Sequence, residues 1–158
     1  MQWRRERCPS FPPYRHHPRA QVRVESGLRA ASAILAAEIL PEHKRELLSI
    51  CLWKLSLAEG ASKYDTRFVS AGALGKPVRL LQHEHVHERA RLTRALILGE
   101  IAIESLRALV FPCTVLREEH TRLTALARSA PHLEGWERYR SACIAVIDRQ
   151  EGTWLIEP

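Results

Sequence analysis

Three of the eight histidines fall within Leu80-Leu81-Gln82-His83-Glu84-His85-Val86-His87-Glu88-Arg89. Imidazoles beside a carboxylate can hold a divalent cation or take a proton from water, and each use demands a particular backbone. On a strand, His83, His85 and His87 project to one side, because side chains alternate with period two. On a helix, His83 and His87 lie one turn apart on one face with Glu84 beside them. As the solvated first turn of a helix, Glu84 and Glu88 merely complement the helix dipole, and the histidines do no chemistry. The protein is then a small interaction or regulatory module.

The elements around this stretch decide among these readings. Ser26 is a candidate N-cap, followed by Leu28, Ala31, Leu35 and Ile39 at helical spacing until Pro41. A second helix is expected from Pro41 through Leu48, Cys51, Leu52 and Leu55 to Gly60, pairing with the first. Lys63 to Ser70 has the composition of a strand, 71–77 of a loop, and Val78 to Leu81 of a returning strand that delivers the histidines at its end. From Glu88, the stripe Leu92, Ala95, Leu96, Gly99, Ile103, Leu106 and Val110 predicts one long helix closed by Pro112. A short strand, Cys113 to Leu116, then precedes a helix from about Glu118 to Arg128 carrying His120, and a brief helix holds Trp136 and Tyr139. The chain closes on an expected hairpin, Ile144 to Ile147 with Thr153 to Ile156. The fold class is α+β: a mainly helical single domain with a few short antiparallel strands and a C-terminal β-hairpin.

The net charge of +6 is concentrated at one end. Six arginines precede residue 24 against one glutamate, Glu6, whereas the remaining 18 basic and 17 acidic residues nearly cancel. With Pro9, Pro12, Pro13 and Pro18 among Trp3, Phe11 and Tyr14, residues 1–24 read as a basic, mobile, Pro/aromatic-rich arm, and 25–158 as one globular domain. Such an arm suits contact with nucleic acid. Cys8, Cys51, Cys113 and Cys143 form no C-x-x-C pair, which points to reduced thiols in a cytoplasmic protein. The longest apolar run contains Glu38 and is too short to span a membrane, and the N-terminus lacks the apolar core of a secretory signal.

Two resemblances bear on the histidines. As a helix, His83-Glu84-His85-Val86-His87 resembles the H-E-x-x-H of zincin metallopeptidases. That implies zinc on His83 and His87, Glu84 as general base, and a third ligand from Glu100, Glu104 or His120. As a strand end followed by a helix, Glu84-His85-Val86 with Val115-Leu116-Arg117-Glu118-Glu119-His120 resembles the two motifs of His-Me finger, HNH-like nucleases. The second resemblance implies His85 as the base that activates water and His120 as ligand to a magnesium, manganese or zinc ion, with His83 or Glu84 as co-ligands. Arg67, Arg89 and Arg91 are then candidates to position a phosphate.

The functional classes left open are a metal-dependent nuclease or phosphodiesterase, an interaction module that meets a protein partner and touches nucleic acid through its arm, and a zinc metallopeptidase. The first requires His85 and His120 to converge on one ion. The second requires the histidines to diverge.

Overall fold

The computed structural model describes residues 10–158. These described residues form a single α+β domain of six α-helices and a five-stranded sheet. Its opening helix pair, α1 (Ala20–Ala36) and α2 (Pro41–Ser56), follows from the apolar periodicity. α1 starts a turn and a half before Ser26, which lies inside the helix. The buried stripe extends upstream to Val24, four residues before Leu28, the Ala20 N–H donates to the His17 carbonyl at 2.9 Å, and no side chain caps the helix. Pro41 occupies the first turn of α2, where its missing N–H costs nothing, and α2 ends at Ser56, short of Gly60. The two helices touch closely at Gly27, where an added Cβ would stand 2.8 Å from Leu55 Cδ1.

The sheet comprises β1 (Phe68–Ser70), β2 (Leu81–His85), β3 (Pro112–Leu116), β4 (Val146–Asp148) and β5 (Thr153–Ile156), in the order β2-β3-β1-β4-β5. It is mixed: β1 and β3 are parallel, and the other neighbours antiparallel. Val78–Leu80 forms a 3-10 turn instead of opening the strand, and β1 is shorter than the composition of Lys63 to Ser70 suggests.

The expected helix from Glu88 to Val110 is broken. It becomes α3 (Arg89–Ile97), a 3-10 turn at Ile103–Ser105 and α4 (Leu106–Leu109). Gly99 takes φ +69°, its N–H donates to the Leu96 carbonyl and the Glu100 N–H to the Ala95 carbonyl, which is the Schellman arrangement that stops a helix. The apolar stripe survives the break, since Leu92, Leu96, Leu106 and Val110 all bury into the core beneath α1 and α2.

α5 (Arg117–Ser129) and α6 (Gly135–Ser141) cover one face of the sheet. The Glu119 carboxylate fastens the start of α5 by accepting from the Leu116 N–H at 2.8 Å and from the Ser70 hydroxyl at 2.5 Å. On this face lie Phe68, Val86, Cys113, Val115 and Val146, packed on Leu123 and Tyr139. Val69, Leu81 and Ile147 occupy the opposite face.

Part of the expected arm lies outside the described residues, namely 1–9, including Arg4, Arg5 and Arg7. Residues 10–24 are packed on the body. Phe11 joins the Val69 and Ile147 cluster, Arg15 pairs with Asp65 at 3.3 Å, and the Arg149 guanidinium donates to the carbonyls of Pro12 and Pro13 at 2.9 to 3.0 Å. An extended proline-rich backbone leaves its carbonyls free to accept, and the planar fork of an arginine fits them.

Candidate functional site

The histidine stretch is a strand and the bend after it, so the helical H-E-x-x-H geometry does not form. Strand alternation sends His83 and His85 to the face beneath α2, while Glu84 faces α5 and α6. His87 lies beyond the strand, edge-on to Phe111 and close over Gly135, and leaves the other two.

His83 is 3% exposed and both its ring nitrogens have partners: Nε2 is 3.1 Å from the Ser56 hydroxyl and Nδ1 is 3.0 Å from the Lys63 carbonyl. A carbonyl can only accept, so Nδ1 carries the proton and Nε2 accepts. Burial holds this imidazole below its ordinary pKa. The Ser56 hydroxyl also reaches the Trp53 carbonyl at 2.8 Å, three residues back in α2, so its single proton is divided between two acceptors. Ser56 and His83 thus bridge the end of α2 to β2, and they stand at the wall of a cleft of about 290 Å³ that Lys63, Arg67, Arg107 and Phe111 also line.

His85 packs tilted against Trp53 at 5.5 Å and edge-on to His83 at 5.4 Å, with its Nε2 buried and without a hydrogen-bond partner. Burial, followed by the neighbouring His83 and Arg89, pushes its pKa down to about 3. Across the sheet, Glu84 Oε2 meets His120 Nδ1 at 2.6 Å, and its Oε1 accepts from the Arg138 guanidinium at 3.1 Å. The Glu84 hydrogen bond raises the His120 pKa, whereas burial lowers that of His87. Arg138 is 2% exposed and also reaches the Val86 carbonyl, so Glu84 is the counter-ion of a buried cation.

His85 and His120 therefore lie on opposite faces of the sheet, and the pairing that the HNH-like resemblance implies is not assembled. Among the described residues no group of three His, Cys, Asp or Glu side chains is arranged to hold a metal ion. The donor set of His83, His85, His87 and His120 does not fit a magnesium, manganese or zinc ion. The paired imidazoles of His83 and His85 have Trp53, Lys63 and Arg89 around them, and cations repel a metal rather than complete its coordination. Glu100 and Glu104, proposed as third ligands of a zincin site, follow the break after α3 and belong to no such group.

The three candidate phosphate-binding arginines are engaged in separate places. Arg67 makes a forked pair with Asp148, at 2.6 and 3.0 Å. Arg89 lies over the Trp53 ring and reaches the Ser49 carbonyl. Arg91 pairs with Glu88 at 2.7 Å and Glu134 at 2.6 Å and donates to the Pro131 carbonyl. Ser56, Trp53 and Arg138 carry no local signature that marks them from sequence, since their partners are on other elements. Comparison with known protein families, with curated proteins and with solved structures found no match to this chain.

Proposed function

We propose that the chain is an interaction module that works by binding a partner at its surface. Glu84 carries this reading. Its two carboxylate oxygens are taken up by His120 and the buried Arg138, on the sheet face away from His85. Two of the groups that could have made a nuclease or peptidase centre, Glu84 and His120, thus serve with Arg138 to join β2, α5 and α6. A cytoplasmic setting accords with the free thiols of Cys51, Cys113 and Cys143, and none of the described helices is long and apolar enough to cross a membrane.

The test is a thermal-shift scan of the full chain with zinc, manganese, nickel and magnesium, run beside His85→Ala and beside cleavage assays on plasmid and single-stranded DNA. A ligand that binds only the native state adds about 2.7 kcal/mol at one hundred times its dissociation constant. The expected result is no metal-dependent rise in Tm and no cleavage. A rise that disappears in His85→Ala, or metal-dependent cleavage, overturns the reading.

A further inference from the structure

The outer face of the α1–α2 pair is apolar and open. Between the helices runs an open groove of about 710 Å³, lined in part by Val22 (50% exposed), Leu47 (44%) and Ile50 (49%). The stripe that faces the core is a different one, Val24, Leu28, Ala31 and Leu35, so core packing does not account for these three. Burying side chains of this kind is favourable, which makes an uncovered row of them a binding surface in waiting.

Charge identifies what covers it. Arg19, Arg23 and Lys54 line the groove at one end, together with His17, and no carboxylate lines it anywhere. None of the ion pairs among the described residues involves Arg19, Arg23 or Lys54, although the Arg23 guanidinium donates to the Leu57 carbonyl at 2.9 Å. The groove runs from Arg19 to Ile34, about 22 Å at the helical rise of about 1.5 Å per residue, or roughly four turns of a bound helix. We infer that the groove between α1 and α2 binds an amphipathic helix of a partner protein, seated by its apolar stripe and carrying acidic residues against Arg19, Arg23 and Lys54.

Other occupants fit less well. Residues 1–9 hold Arg4, Arg5 and Arg7 against Glu6 and bring more positive charge to a positive rim. A second copy of the chain docked in parallel brings the same basic end to the rim. A membrane surface is flat, whereas this site is concave and charged at one end only. The inference rests on the reading of the chain as an interaction module and supplies its partner class.

The experiment is fluorescence anisotropy of the full chain with a labelled synthetic peptide of about four helical turns. Leucines stand at i, i+3, i+4 and i+7, and glutamates on the flanks; a twin peptide replaces every glutamate by lysine. The expected result is binding of the acidic peptide at least about tenfold tighter than its twin, a difference that shrinks toward ~1 M salt. Leu47→Ser with Ile50→Ser weakens binding at least about tenfold, and Arg19→Glu with Lys54→Glu inverts the preference between the peptides. Circular dichroism checks that each variant keeps the helical content of the wild type, which exposed positions permit.

No binding, equal binding of both peptides, or indifference to both pairs of substitutions overturns the inference. So does concentration-dependent dimerisation that Leu47→Ser with Ile50→Ser abolishes, which makes a second copy the occupant. Binding to phosphatidylserine vesicles in place of peptide overturns it in favour of a membrane. The metal scan is independent of all these outcomes, so a failed groove and a failed interaction-module reading are told apart.

Discussion

Glu84 and His120, 36 positions apart, meet at 2.6 Å where β2 faces α5. The contact raises the imidazole pKa in the native state above the ordinary value near 6.5. The native state then holds a proton that the unfolded chain releases, so the contribution to stability is complete below about pH 6.5 and is lost as pH rises through the raised value. Urea unfolding across pH 5 to 9 should show this decline in the wild type. The difference curve against His120→Gln isolates it, and a wild-type profile parallel to that of the variant rules out the pair.

The buried imidazoles act with the opposite sign. His85 stays neutral in the native state down to about pH 3, while the unfolded histidine protonates near 6.5. The unfolded state therefore binds more protons between these values, and stability falls as pH falls through this window. His85→Leu should be less sensitive to acid between pH 6.5 and 4 and should gain stability at neutral pH, because it removes a buried nitrogen without a partner. Loss of stability at pH 7 in His85→Leu means that the imidazole has a native partner that outweighs the desolvation.

Arg138 depends on Glu84. Removing one member of a buried pair leaves an uncompensated charge at a cost of about 3–5 kcal/mol. Glu84→Gln should therefore lose about 3 kcal/mol in chemical denaturation, and Glu84→Gln combined with Arg138→Met should recover much of it. Full additivity of the two substitutions argues against direct coupling.

Gly99 is held at φ +69° with open space where a Cβ would stand, so a substitution there meets strain without a clash. Gly99→Ala should cost about 1–2 kcal/mol, the penalty for an L side chain in the left-handed region. A stabilising effect, read as a raised Tm with more helical ellipticity, shows that the chain prefers the longer unbroken helix.

Much of the fold is legible in the chain because its signals are local. Leu48, Cys51, Leu52 and Leu55 announce α2 by spacing alone, Pro41 marks its start, and the short apolar runs around β3 and the C-terminal hairpin, with the polar turn Asp148 to Gly152, place those strands within two residues. Of the three imidazoles that the strand reading sets on one face, His83 and His85 share it and His87 does not, because the strand ends at His85. Gly99 was also visible, as a residue within an apolar stripe. A glycine there suits either a tolerated interior position or a helix stop, and only the packing of Leu106 and Val110 beneath α1 and α2 selects the stop.

The sequence by itself determined the class, most of the elements and the residues capable of chemistry, because periodicity, proline and glycine act over a few neighbouring positions. Only the tertiary structure decided what those residues do. Residue type does not reveal a partner 36 or 54 positions away, and the fold pairs Glu84 with His120 and Arg138, which ties β2 to α5 and α6. It likewise decided that Val22, Leu47 and Ile50 remain uncovered, since an apolar side chain announces that it seeks burial but not which neighbour supplies it.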